Sequence, residues 1–410
     1  MTDPQAVKPD RTTETMEEAK LPRKDWIVLP LLGVFTIAFV FGSMELLARR
    51  ILPEEGSLFV GACMVINNPS AGVQAIPNSV CREKAAEGQL TEYRFNSCGH
   101  RAGMECGPKP PNTYRIVMAG SSYGFGYGVM REQTFAALLP VELSRQTGRK
   151  IELYNASMAG RMPRAADLRF DELLAAKPDM ILWELAPADI EEVQLQAIDP
   201  DAYVWDKSID RRAKFAASRE LILHNTHTVW KHASGWYDHI AILLRHLLYN
   251  DESEEQYVNS YLMNGDEGAG FLKADWSPRW QVHLEQFDSC AADMEEKAKV
   301  AGIPFVAVLL PNRAQAAMIS MGKWPTGYDP YKLDEKLHFI IVSHGGIYLD
   351  ILPEFRRVPS PEQYFFPVDG HPNSGGHAII ATLLAKELTG GAVPALKAPP
   401  QFQAVSEQTR

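Results

Sequence analysis

Two kinds of apolar pattern run along the chain. The first is a single unbroken stretch, Trp26 to Met44, with no charged residue in it. As a helix it spans ~28 Å at ~1.5 Å per residue, about the thickness of a bilayer core. Arg23 and Lys24 precede it, and Arg49 and Arg50 follow. It predicts a transmembrane anchor over 26–48 behind a polar cytoplasmic tail, 1–25; basic pairs on both flanks orient it poorly, and its orientation rests on the cysteines below. The second pattern is a series of short apolar runs: Tyr114–Met118, Ile151–Tyr154, Met180–Trp183, Pro304–Leu310 and Ile347–Ile351. Each suits a strand buried on both faces.

Helical spacing falls between these runs. Over His283–Ala301, the residues Leu284, Phe287, Cys290, Ala291, Met294 and Ala298 share one face, and Gly302 supplies the stop. Strands separated by helices imply a parallel sheet covered on both sides. The expected fold is α/β: a three-layer α/β/α sandwich on a flavodoxin-like sheet of about five strands, over 113–392. Its long connection, 190–280, is too long for a structureless loop and predicts a helical lid. That segment includes the amphipathic stretch His239–Leu248. Residues 49–112 read as a connector and 393–410 as a disordered tail.

Composition alters this picture in two places. A formal net charge of −10 argues against nucleic acid, whose phosphates need a basic face. Cys63, Cys81, Cys98 and Cys106 cluster after the apolar stretch, whereas Cys290 stands apart on a helix face. Four clustered thiols allow two disulfides in any of three pairings. Disulfides persist in oxidising compartments, which puts the folded part outside the cytoplasmic membrane, in a periplasmic or extracytoplasmic setting. No metal is expected. His224, His227, His232, His239 and His246 include helix-compatible spacings, but no Asp/Glu/His set completes a site.

In parallel sheets, ligands bind beyond the carboxyl ends of the strands. Gly120-Ser121-Ser122-Tyr123-Gly124-Phe125-Gly126-Tyr127-Gly128-Val129 follows the first run, and Asn155 to Gly160 the second. Ala186-Pro187-Ala188-Asp189 follows the third, and Asp369-Gly370-His371-Pro372-Asn373 lies near the C-terminus. Serine, aspartate and histidine on one edge suit nucleophilic catalysis, in which histidine takes the serine proton and aspartate orients the imidazole. Gly120-x-Ser122-x-Gly124 also fits the nucleophile elbow of α/β-hydrolases, but that elbow comes after several strands rather than the first.

From about Tyr93 to Leu388 the chain resembles membrane-tethered members of the SGNH (GDSL-like) hydrolase superfamily. Gly120-Ser121-Ser122 with Phe125 to Val129 is similar to its first block, and Asn96-Ser97-Cys98-Gly99-His100-Arg101 to the segment upstream. Asp369, His371, Asn373 and Gly376 match its last block, with His377 a nearby helix residue. The resemblance implies Ser122 as nucleophile, His371 as base and Asp369 as orienter. It also implies an oxyanion hole from the backbone N–H groups of Ser122 and Gly160, and no cofactor. Two positions depart from the family. Ser121 stands where its first block has Asp, and Ala188 where its third block has the Asn that donates into the oxyanion hole. Losing one such donor costs ~10²–10³ in turnover unless another group replaces it; Asn155, Ser157 or a lid residue are the candidates. The expected function is an esterase or deacylase acting on an O-acyl group of an envelope glycan or lipid. The alternatives are an O-acyltransferase working with envelope polysaccharide machinery, and a weakened, glycan-binding scaffold.

Overall fold

The computed structural model describes residues 24–51, 63–65, 74–84, 87, 89–159, 163–191, 193, 253–266, 268–367 and 369–399. Five parallel strands form the sheet: β5 (Thr113–Ala119), β6 (Lys150–Asn155), β7 (Met180–Leu185), β8 (Phe305–Leu309) and β9 (Ile347–Leu349), in the order β6-β5-β7-β8-β9. The expected runs coincide with these strands, and every residue of β5, β7 and β8 is buried. Because β5 lies between β6 and β7, the chain reverses its winding beside β5. A crevice opens at such a switch point, beyond the strand ends.

Helices flank the sheet. On one group, α3 (Phe135–Thr147) packs against β6 and against α11 (Ser374–Glu387). In the other, α8 (Pro278–Ala301) packs against α10 (Lys332–His344), α4 (Pro163–Leu168) and β8. Ser277 caps α8 by accepting the Trp280 N–H, and Gly302 closes it in the left-handed region that glycine tolerates. The predicted face of α8 is buried throughout, with Phe287 stacked on Trp183 of β7 at 5.2 Å. Cys290 is a free, buried thiol in that face; burial pushes its pKa far above the ordinary thiol range, so it stays protonated and inert.

Residues 49–112 are more than a connector. Strands β3 (Val80–Lys84) and β4 (Leu90–Arg94) form an antiparallel hairpin, and β1 (Met64–Val65) pairs with β2 (Gln74–Ala75). Disulfides join Cys63 to Cys81 and Cys98 to Cys106. Cys63, Cys81, Tyr93, Phe95, Phe125 and Met158 form a second small core. Patterning missed it because these strands are short and their partners lie far along the chain.

The apolar stretch is helix α1 (Asp25–Ile51), in a compact unit separate from the sheet domain. Its side chains are described continuously from Lys24 to Val40, and Trp26, Phe35 and Phe39 are exposed. Among the described residues no helix is long and apolar enough to cross a membrane, so the spanning segment expected over 26–48 is not carried by the structure. In the expected lid, His239–Leu248 and the five histidines at 224, 227, 232, 239 and 246 lie outside the described residues. The part described, α7 (Glu254–Leu262) and the turn Gly270–Leu272, stands as a wall of the cavity described next.

Candidate active site

The turn that carries Ser122 is built around close backbone approaches. Ser122 opens the short helix α2 (Ser122–Phe125) directly beyond β5. A Cβ on Gly124 would meet Glu184 Oε2 and Ser157 Oγ, each at 2.5 Å, so only glycine lets the turn sit this low on the sheet. Gly126 ends α2 at φ 79, in the left-handed region. Arg101 clamps the next stretch: Nη1 donates to the Phe125 and Gly126 carbonyls, and Nη2 to that of Val129. Asn96 shapes the approach by accepting the Cys98 and His100 N–H groups.

At the other end of the chain, Asp369 and His371 lie on a tight turn in which Phe366 N–H donates to the His371 carbonyl and Gly370 N–H to that of Phe366. Asn373 then caps α11 by accepting the Gly375 and Gly376 N–H groups. These two loops meet. His371 Nε2 lies 2.7 Å from Ser122 Oγ, and His371 Nδ1 lies 2.6 Å from Asp369 Oδ1. The His371 backbone N–H also donates to Asp369 Oδ1, at 3.2 Å. Burial works to raise the Asp369 carboxyl, but the hydrogen bond and charge of His371 outweigh it and hold the group below its usual range. An ionised Asp369 fixes the tautomer that leaves Nε2 free to accept the serine proton. The imidazole is wedged between Tyr123 and Tyr127, with ring centres at 5.1 and 5.3 Å.

His377 is not part of this relay. It is fully buried, and burial drives its pKa down to about 3. The neutral ring accepts the Phe135 N–H at Nδ1.

Of the supporting groups around the turn, Glu184, Glu87 and Glu83 were not singled out from sequence. Glu184, fully buried near the end of β7, accepts the Ser121 and Gly124 N–H groups on either side of Ser122. Burial, then the neighbouring Asp189, push its carboxyl well above the usual range. Its one sequence signal is a lone acid in an otherwise apolar run. Ser121 donates its hydroxyl to Asp189 Oδ2 at 3.0 Å. Asp189 also accepts the Ala186 N–H and so shapes the turn after β7. From the hairpin, Glu87 Oε2 accepts the Asp369 N–H at 2.6 Å, and Glu83 accepts the Tyr127 hydroxyl.

Of the groups expected to form an oxyanion hole, Gly160 lies outside the described residues. Ala188 is on α6 (Pro187–Glu191) and lines the cavity without a side-chain donor. Of the substitutes, Asn155 already donates to the Gly124 carbonyl and accepts the Ser157 N–H. Ser157 Oγ is buried without a hydrogen-bond partner among the described residues.

Ser122 and His371 open into a cavity of about 790 Å³, walled by α6, by Tyr257, Tyr261 and Phe271 from the insertion, and by Asn312 and Arg313. This volume takes a drug-sized or disaccharide-sized ligand.

No family model matches the chain, and no curated protein matches it. Among solved structures, it is similar to the acetylxylan esterase Axe2 from Geobacillus stearothermophilus, with 12% identity, 69% of this chain and 96% of that one covered, and a TM-score of 0.36. The esterase EstA from Pseudoalteromonas sp. is 12% identical over 68% of this chain and 97% of its own, with a TM-score of 0.36. A lipase/acylhydrolase from Enterococcus faecalis is 14% identical over 68% and 96%, with a TM-score of 0.34. TM-scores below 0.5 make these loose likenesses, and the chemistry of the site rests on its own geometry.

Proposed function

We propose that this chain is an SGNH-type serine esterase or deacylase that removes an O-acyl group from an envelope glycan or lipid. The observation that carries this reading is the hydrogen-bonded line Ser122–His371–Asp369 at the mouth of a ligand-sized cavity. Ser122 Oγ attacks the ester carbonyl carbon as its proton passes to His371 Nε2. Collapse of the tetrahedral intermediate breaks the ester C–O bond, and the departing alcohol takes that proton. Water then repeats the sequence, releasing the acid and restoring Ser122. The backbone N–H groups of Ser122 and Gly160 would hold the oxyanion, with Ala188 leaving one donor fewer than usual. The exposed apolar face of α1 and the two disulfides favour an extracytoplasmic enzyme tethered by its N-terminal segment. The tyrosine-lined wall favours a bulky acceptor, so a sugar hydroxyl replacing water, giving O-acyl transfer, is the second reading.

Treating the full chain with a fluorophosphonate probe and mapping the adduct tests the reading. Ser122 is expected to carry the label. Ser122→Ala should abolish it, and His371→Ala should slow it by ~10³ or more. A folded protein that resists the probe would turn attention to the weakened, glycan-binding alternative. Product analysis with an acylated sugar, with and without a sugar acceptor, then separates hydrolysis from transfer.

A further inference from the structure

The cavity wall contains one permanently charged cation among its described residues, Arg313, the first residue of helix α9 (Arg313–Met321). Three features of its surroundings are unusual. Its guanidinium carbon lies 3.7 Å over the Tyr257 ring. Nη1 donates to the Pro367 carbonyl, two residues before Asp369. Nε is buried with no hydrogen-bond partner among the described residues. No carboxylate pairs with Arg313 among the described residues. Two of the nearby acids are already engaged, Asp189 with Ser121 and Ala186, and Asp369 with His371. Glu191 stands at the end of α6.

A guanidinium carries five N–H donors and no acceptor. Leaving a buried donor unsatisfied is costly, and its fork matches planar or tetrahedral oxyanions in a two-point contact. Stacking on Tyr257 holds the fork in one orientation, and the positive end of the α9 dipole lies beside it. The arrangement is complete once the cavity supplies an anion.

We propose that Arg313 is a specificity-determining residue that binds an anionic group, a carboxylate, phosphate or sulfate, carried by the substrate beside the scissile ester. The substrate class is then an anionic O-acyl ester. The charge sits either on the alcohol part, as in an acylated uronic acid or phosphorylated sugar, or on the acyl part, as in a half-ester of a dicarboxylic acid. This inference rests on the Ser122 esterase reading for its kinetic test but not for its binding test.

The kinetic test compares two matched pairs: 4-nitrophenyl acetate with mono-4-nitrophenyl succinate, and O-acetylated methyl glucoside with O-acetylated methyl glucuronate. The charged member of one pair should be favoured in kcat/KM by about 10–100-fold, the size of a charge-assisted two-point hydrogen bond. The favoured pair identifies which part carries the charge. Arg313→Gln should bring that ratio to near one, and Arg313→Lys should restore part of it. If neither pair is discriminated, or if Arg313→Gln lowers both members equally, Arg313 only straps Tyr257 to the Pro367 loop and the proposal falls. The binding test uses Ser122→Ala by calorimetry, with glucuronate and inorganic phosphate as probes and methyl glucoside as the neutral control. Binding of an anionic probe, absent in the Ser122→Ala/Arg313→Gln double variant, sustains the anion site even if no ester is cleaved. No preference over the neutral sugar in the intact-Arg313 protein overturns it.

Discussion

Glu184 shows how much one side chain contributes beneath Ser122. Its Oε2 satisfies two backbone donors that would otherwise be buried beside Ser122. Glu184→Gln keeps an acceptor oxygen there, whereas Glu184→Ala orphans both amides at ~1–3 kcal/mol each. Denaturant titration should therefore find Glu184→Ala several-fold more damaging than Glu184→Gln, and fluorophosphonate labelling should slow in the same order. Equal effects would mean that the amides find other partners. His377 provides a titration with the opposite character. Its folded pKa of about 3 lies below the ordinary 6.5, so the unfolded chain takes up the proton first as pH falls. The neutral ring's stability is whole above pH ~6.5 and drains away from there toward pH 3. Between pH 7 and 5 this amounts to ~2 kcal/mol. It should appear as a steeper acid loss of unfolding free energy in the wild type than in His377→Asn.

At the scale of elements, the β3–β4 hairpin braces the Ser122 and Asp369–His371 turns rather than merely linking them to what precedes. Tyr93 stacks on Phe125 at 5.2 Å and accepts the Gly128 N–H, while Glu87 holds the Asp369 amide. Glu87→Gln weakens a charge-assisted bond to the catalytic turn, and kcat for a soluble ester is expected to drop about tenfold with KM little changed. A rise in KM alone would show that the turn keeps its shape without Glu87. The Cys63–Cys81 bridge closes a sequence separation of 18 residues beneath this hairpin. Replacing both cysteines by serine should lower unfolding free energy by ~3 kcal/mol. Periodicity located the sheet strands and α8 because each buries its own local pattern. It missed the hairpin because Tyr93, Phe95 and Cys81 find their cover on α2 and Met158, through contacts distant in sequence.

At the scale of the whole sheet domain, the site depends on segments far apart in the chain packing together. Ser122 and His371 are 249 residues apart and meet only when β5, β7 and α11 are all in place. Loss of Ser122 labelling in denaturant should coincide with the fluorescence change of Trp183, buried between Phe287 and Phe305. Labelling lost well before that change would mean that the catalytic loops open independently of the sheet. The cavity likewise combines α6, the α7 wall and the start of α9, which no local window of sequence contains.

What the sequence determined by itself was therefore whatever is encoded locally: five apolar runs long enough for buried strands, the amphipathic face of α8, the Gly-rich turn around Ser122, and the Asp369-Gly370-His371 turn. Each follows from backbone sterics and from side chains that must leave water together. Only the tertiary structure decided which cysteines pair, that Glu184 and Glu87 support the catalytic turns, and that Arg313 enters the same cavity as Ser122. These depend on distances between residues far apart along the chain, set by how helices and strands pack, and residue spacing alone carries no measure of them.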